Sequence, residues 1–116
     1  MKDIKVGYVY NTEVADGKVR PAVVLSHYGN FSVIIPMRKV YVTDLSGITN
    51  SELYVNFYGN ADEGSIAQCG SIKSVPDKKI GRELGELYDI DKDAIILKVV
   101  EQLKEETDKW LFSSAN

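Results

Sequence analysis

Cysteine and histidine are almost missing from this chain, which has one of each, Cys69 and His27, in 116 residues. A single thiol excludes an internal disulfide and any structural zinc site built on cysteines. Neither residue stands in ligand spacing with carboxylates, so no metal is expected. The acids of "DIDKD" (89–93) alternate loosely like a calcium loop, but that loop's central glycine and distal glutamate are missing. Capping a helix is their expected duty. Phosphate-cradling glycine motifs are also missing: Gly81 and Gly85 of "IGRELGEL" precede no Lys-Ser/Thr pair and read as turn residues. No apolar run is long enough to span a membrane. The N-terminal "MKDIKVGYVY" lacks the charged-then-apolar layout of a signal peptide, so a cytoplasmic protein is expected. Cations are not in excess either. Lysine and arginine total 14 against 17 acids, a net charge of −3, so a nucleic-acid ligand would need a local basic patch.

What is there is an ordinary globular composition, 44% hydrophobic and 27% charged, of a length that fits one domain over residues 1–116. Ile4, Val6, Tyr8 and Tyr10 alternate in a strand period, followed by a polar loop, "NTEVADGK". "RPAVVLS" is a β-branched strand with Pro21 at its start, where no ladder N–H is needed. "HYGN" (27–30) is a turn that leaves His27 solvated. "FSVIIPM" is a third strand, ended or edged by Pro36. "KVYVTDL" and "ELYVNFY" are read as a fourth and fifth, with turns at "SGITNS" and "GNADEG". "SIAQCGSIKSV" is a long sixth, bent at Gly70, in which Cys69 is a small buried hydrophobe. "DKKIGRELGEL" reads as a short helical turn and then a short connector or strand around Leu84 and Leu87. Ile96, Val99, Val100 and Leu103 then trace one buried helical face.

Short strands followed by one amphipathic helix predict a mainly β fold: a small β-barrel with a C-terminal helix packed on it. A partly open sheet crossed by the helix is the alternative. Basic residues fall at strand ends: Lys18 and Arg20 before the second strand, Arg38 and Lys39 after the third, and Lys73 in the sixth. If the second and third strands pair through "HYGN", Arg20 and Arg38 lie toward the same end of that hairpin. There their guanidinium groups can meet a phosphate.

Three blocks resemble the MazF/PemK family of toxins from bacterial toxin–antitoxin systems. "GYVYNTEVADGKVRPAVVLS" resembles the family's opening strand, its loop and its Gly-x-x-Arg-Pro. "GSIAQCGSIKSV" resembles a later strand, and "KKIGRELGELYDIDKDAIILKVVEQL" the closing turn and helix. The resemblance implies an SH3-like barrel with a C-terminal helix, a homodimer and an antitoxin partner. It also implies sequence-selective cleavage of single-stranded RNA by 2′-hydroxyl attack, with no metal or other cofactor. Arg20 matches the family's catalytic Arg-Pro arginine. Arg38 stands where many members carry a Thr or Ser hydroxyl. Gln68 and Gly70 replace an arginine and aspartate found in some. The expected catalytic set is therefore Arg20, Arg38 and Gln68, with Lys18, Lys39, Ser71 and Lys73 binding RNA. Glu13 and Asp16 are candidate carboxylates for a base. Two alternatives stand beside this reading. One is a MazF-like fold without catalysis that binds RNA or protein. The other is an interaction protein using Trp110, Leu111 and Phe112.

Overall fold

Residues 22 to 25 and 33 to 37 are almost continuously apolar because the two strands that hold them are covered on both faces. The structure, a computed structural model, describes residues 3–59 and 64–114, with side chains as far as Trp110. The described strands are β1 (Tyr8–Ala15), β2 (Lys18–Tyr28), β3 (Phe31–Lys39), β4 (Glu52–Val55), β5 (Ser65–Gln68), β6 (Lys73–Pro76) and β7 (Ile80–Glu86). Helix α1 (Asp89–Ser114) closes the chain, and 3-10 helices span Val42–Ser46 and Asp77–Lys79. The sheet runs β4-β5-β3-β2-β1-β7, with β6 beside the first half of β3. Its ladders are antiparallel.

Side chains on adjacent strand positions enter different cores. Tyr10, Val14, Ala22, Val24, Ile34, Val75 and Ile80 fill one. Val9, Val23, Ile35, Met37, Ala67 and Leu87 fill the other, where α1 contributes Ile95 and Val99. Ile34 and Ile35 are both fully buried, one in each core. Each such side chain stabilises the fold by about 1.5–3 kcal/mol through burial alone.

The sheet is not closed, so it is a barrel only loosely. Just past the ends of its edge strands β4 and β7, the chain meets itself at one described bridge, Phe57 to Leu87. The Tyr58 N–H donates to Glu86 O at 2.8 Å and the Tyr88 N–H to Asn56 O at 3.2 Å. Gly85 makes this approach possible, since a β-carbon there would overlap the Tyr58 carbonyl oxygen.

Several sequence expectations change. The first strand begins at Tyr8, after a turn in which Gly7 takes φ 84°. It runs on through the expected loop to Ala15, because Tyr10, Thr12 and Val14 alternate inward. Buried Thr12 satisfies its hydroxyl on Tyr10 O at 3.0 Å. Asp16-Gly17 is then a two-residue hairpin turn between Ala15 and Lys18. "KVYVTDL" is not a strand of its own: Lys39 ends β3 and the second half of the stretch enters the first 3-10 helix, for Asp44 turns back to accept from the Tyr41 N–H at 2.6 Å. The sixth strand is two strands, broken around Gly70. The short helical turn expected in "DKKIGRELGEL" is the 3-10 helix Asp77–Lys79, and the segment around Leu84 is strand β7, which begins earlier, at Ile80. Gly81 and Gly85 therefore sit in a strand where other backbone comes close. The helix buries Ile95 and Val99 but leaves Ile96, Val100 and Leu103 more than half exposed. Asp91 does not cap with its side chain; it accepts from the Asn56 N–H at 2.9 Å. The turn expected at "GNADEG" lies largely outside the described residues, as do the side chains of Leu111 and Phe112. Trp110 is 67% exposed.

Candidate functional site

The β2–β3 ladder ends at the Ala22–Pro36 pair. Below it Lys18 to Pro21 pair with β1, while Met37 to Lys39 pair with β5. Pro36 and Pro21 have no N–H to continue the ladder, so the two central strands part at this point. Extending the register by two residues sets Arg20 opposite Arg38.

Two recesses open where the strands diverge, and Arg20 lines both. One, of about 300 Å³, is walled by Val19, Arg20, Pro21, Met37, Arg38, Lys39 and Phe57. The other, of about 130 Å³, gathers Lys18, Arg20, Gln68, Ser71 and Lys73 around Val14 and Pro36. All seven residues singled out in the sequence line one or both. Neither recess includes an Asp, Glu or His among its described lining residues. This is a local cationic surface on a chain of net charge −3.

The cations are not equivalent. The Arg20 side chain is exposed and makes no hydrogen bond or ion pair among the described residues, and the same holds for Lys18 and Lys39. Lys73 Nζ donates to Val14 O at 2.9 Å, which holds it over the smaller recess. Arg38 is committed: its Nε donates to Glu52 at 3.0 Å, and its two terminal nitrogens each donate to Asp44 at 3.0 Å. A fourth bond runs to Lys39 O at 3.1 Å. Of five guanidinium N–H groups, one is left over. These bonds raise the Arg38 pKa further and hold both carboxyls below their ordinary range, with the Tyr41 N–H helping at Asp44. Arg38 thus enters the cleft with its charge already matched.

The suggested carboxylates are not among the described residues that line either recess. Glu13 is bound by Lys79 Nζ, and Asp16 is in the exposed hairpin turn. His27, expected to be solvated, is about three-quarters buried and pairs with Asp77 at 3.0 Å. Its position, seven residues along β2 from Arg20, keeps it out of the cleft. Cys69 is fully buried, and burial pushes its thiol pKa up to about 11. Among the described residues no group of three or more His, Cys, Asp or Glu side chains is placed to hold a metal. No described helix is long and apolar enough to cross a membrane.

Sequence reasoning missed Asp44 and Glu52. No local pattern signals them, because only the 3-10 helix and the β4–β5 pairing return them to Arg38. Tyr41, whose ring centroid lies 5.6 Å from the Arg38 guanidinium carbon, was missed for the same reason.

A half-open antiparallel sheet crossed by one C-terminal helix is the architecture of MazF-type toxins. Solved structures that share it include an endoribonuclease from Mycobacterial species, at TM-score 0.70 and 14% identity, over 90% of this chain and 94% of that one. An endoribonuclease in complex with its cognate antitoxin, also Mycobacterial, matches at TM-score 0.71 and 12% identity, over 87% and 95%. The Mycobacterium tuberculosis toxin MazF-mt6 matches at 0.60 and 16%, over 87% and 96%. No family model and no curated protein matches the sequence. The likeness is one of fold.

Proposed function

We propose that the cleft around Arg20 cleaves single-stranded RNA, as an endoribonuclease that is sequence-selective and requires no metal. The observation that carries this reading is the Arg20 guanidinium, unpaired among the described residues, at the shared rim of two cationic recesses. It is supported by the fold's neighbours, two of which are named endoribonucleases. In the reaction the ribose 2′-oxygen attacks the adjacent phosphorus and the bond from phosphorus to O5′ breaks. The products are a 2′,3′-cyclic phosphate and a 5′-hydroxyl. The 2′-hydroxyl loses its proton to water, and the departing oxygen gains one from water. Arg20 donates to the phosphate oxygens as charge builds on them, stabilising the transition state more than the ground state. Arg38 offers its remaining N–H and fixes the opposite wall. Gln68 and Ser71 donate to the backbone of the bound strand, and Lys18, Lys39 and Lys73 neutralise flanking phosphates.

The same reading carries a homodimer, an antitoxin partner and a cytoplasmic setting. The exposed helical stripe of Ile96, Val100 and Leu103 supports an apolar contact with another chain. A second reading, RNA binding without cleavage, is favoured by one observation: no carboxylate or imidazole lines the described cleft. The test is incubation with single-stranded RNA in EDTA. Fragments ending in cyclic phosphate are expected. RNA that is bound but left intact supports the second reading, and RNA neither bound nor cut overturns both.

A further inference from the structure

Beside the cleft, the chain from Tyr41 to Leu45 puts large apolar surface into solvent. Val42 is 84% exposed, Leu45 81% and Tyr41 56%. The segment is nonetheless firmly held. Asp44 accepts from the Tyr41 N–H at 2.6 Å and from two Arg38 nitrogens, and Asp44 O accepts from the Tyr54 hydroxyl at 2.5 Å. Glu52 holds Arg38 from the other side and is itself held by the Thr49 N–H at 3.2 Å and the Thr49 hydroxyl at 3.0 Å. Tyr41 is the ring of this segment nearest the chemistry. One face lies against Arg38, which also walls the recess containing Arg20. The residue as a whole is 56% exposed. An aromatic face that is fixed in place, exposed, and one side chain from a phosphate-binding cleft is what a nucleobase stacks on.

We propose that Tyr41 is a base-stacking platform. When Arg20 engages a phosphate, the base of a neighbouring nucleotide lies on the other face of Tyr41, with the Arg38 guanidinium behind the ring. The proposal rests on the cleft being an RNA site, and it gives the Arg38–Asp44–Glu52 cluster a purpose. Apart from the one N–H that Arg38 has left over, the cluster's part is to position Tyr41. Because every base has a π-face, the contact contributes affinity and register with little dependence on sequence.

The experiment is titration of a short, fluorescently labelled single-stranded RNA, and of the same chain lacking its bases, into wild type, Tyr41→Ala, Tyr41→Leu and Tyr41→Phe. With the complete RNA, Tyr41→Ala and Tyr41→Leu are expected to bind roughly 5–100-fold more weakly, and Tyr41→Phe near wild type. With abasic RNA the four proteins are expected to bind alike. The slope of affinity against salt concentration is expected to be unchanged, since no phosphate contact is lost. Wild-type affinity in Tyr41→Leu, or an equal loss with abasic RNA, overturns the platform while leaving the cleft reading intact. A wild-type protein that binds neither RNA overturns the cleft reading and the platform with it.

Discussion

Replacing Gly85 with alanine probes how the open edge of the sheet is held. The new β-carbon would overlap the Tyr58 carbonyl oxygen, and it would lie 2.9 Å from the Tyr58 carbonyl carbon and 3.2 Å from Phe57 Cδ2. Strand β7 cannot retreat without stretching the Tyr58 N–H bond to Glu86 O and the Tyr88 N–H bond to Asn56 O. Losing both costs about 2 kcal/mol, at about 1 each. Overpacking adds about 1–3 kcal/mol. The less flexible unfolded chain offsets at most about 1 kcal/mol. The net loss is about 2–4 kcal/mol, from a total of roughly 6–17 for a domain of this length. With a urea slope of about 2 kcal/mol per molar, the midpoint falls by about 1–2 M. Equilibrium urea unfolding followed by circular dichroism measures it. Gly17→Ala is the control: its site, at φ 70°, has nothing within 4 Å, so only backbone strain of about 1–2 kcal/mol applies. A Gly85→Ala midpoint equal to wild type refutes the close-approach argument. Since Phe57 walls the larger recess, the same variant is expected to reshape the cleft.

The Arg38 cluster makes stability depend on acid. Asp44 and Glu52 titrate lower in the folded chain than their ordinary values of 3.8 and 4.5. Their contribution is therefore fully present above about pH 5 and is lost as pH falls below those values. Arg38→Met should flatten that part of the pH–stability curve, measured by thermal melting; an unchanged curve contradicts the pairing. Cys69, buried and with its thiol pKa at about 11, should resist a thiol reagent at neutral pH until the protein is unfolded. Rapid labelling of the native protein contradicts that placement.

The central strands and the helix were legible because their side chains state their own periods. "RPAVVLS" and "FSVIIPM" are runs whose Val23 and Ile35 face one core while Val24 and Ile34 face the other. The prolines expected at their ends lie inside them, since β2 starts at Lys18 and β3 runs to Lys39, and they mark instead where β2 and β3 part. The cationic cleft was legible in outline, because charges at the ends of paired strands converge once the pairing is correct. The state of Arg38 was not. Asp44 lies in a stretch that alternates like a strand, and nothing local reveals that its carboxylate turns the chain by accepting from the Tyr41 N–H. The full extent of strand β7 was hidden too. Gly81 and Gly85 look like turn formers until the carbonyls of Asn11 and Tyr58 are seen against them. The helix offers two overlapping apolar stripes, and sequence alone does not say that the sheet takes Ile95 and Val99 and leaves Ile96 and Val100 exposed.

The role of Arg20 is tested most directly by single-turnover cleavage of single-stranded RNA in EDTA, with wild type and Arg20→Ala at matched melting temperature. The exposed Arg20 side chain makes no hydrogen bond or ion pair among the described residues, so its removal should leave stability unchanged. A loss of roughly 10²–10³ in the cleavage rate is expected, the usual effect of deleting one positioned donor at a developing anion. Cleavage by Arg20→Ala at the wild-type rate would contradict the assignment of this cleft as the catalytic site.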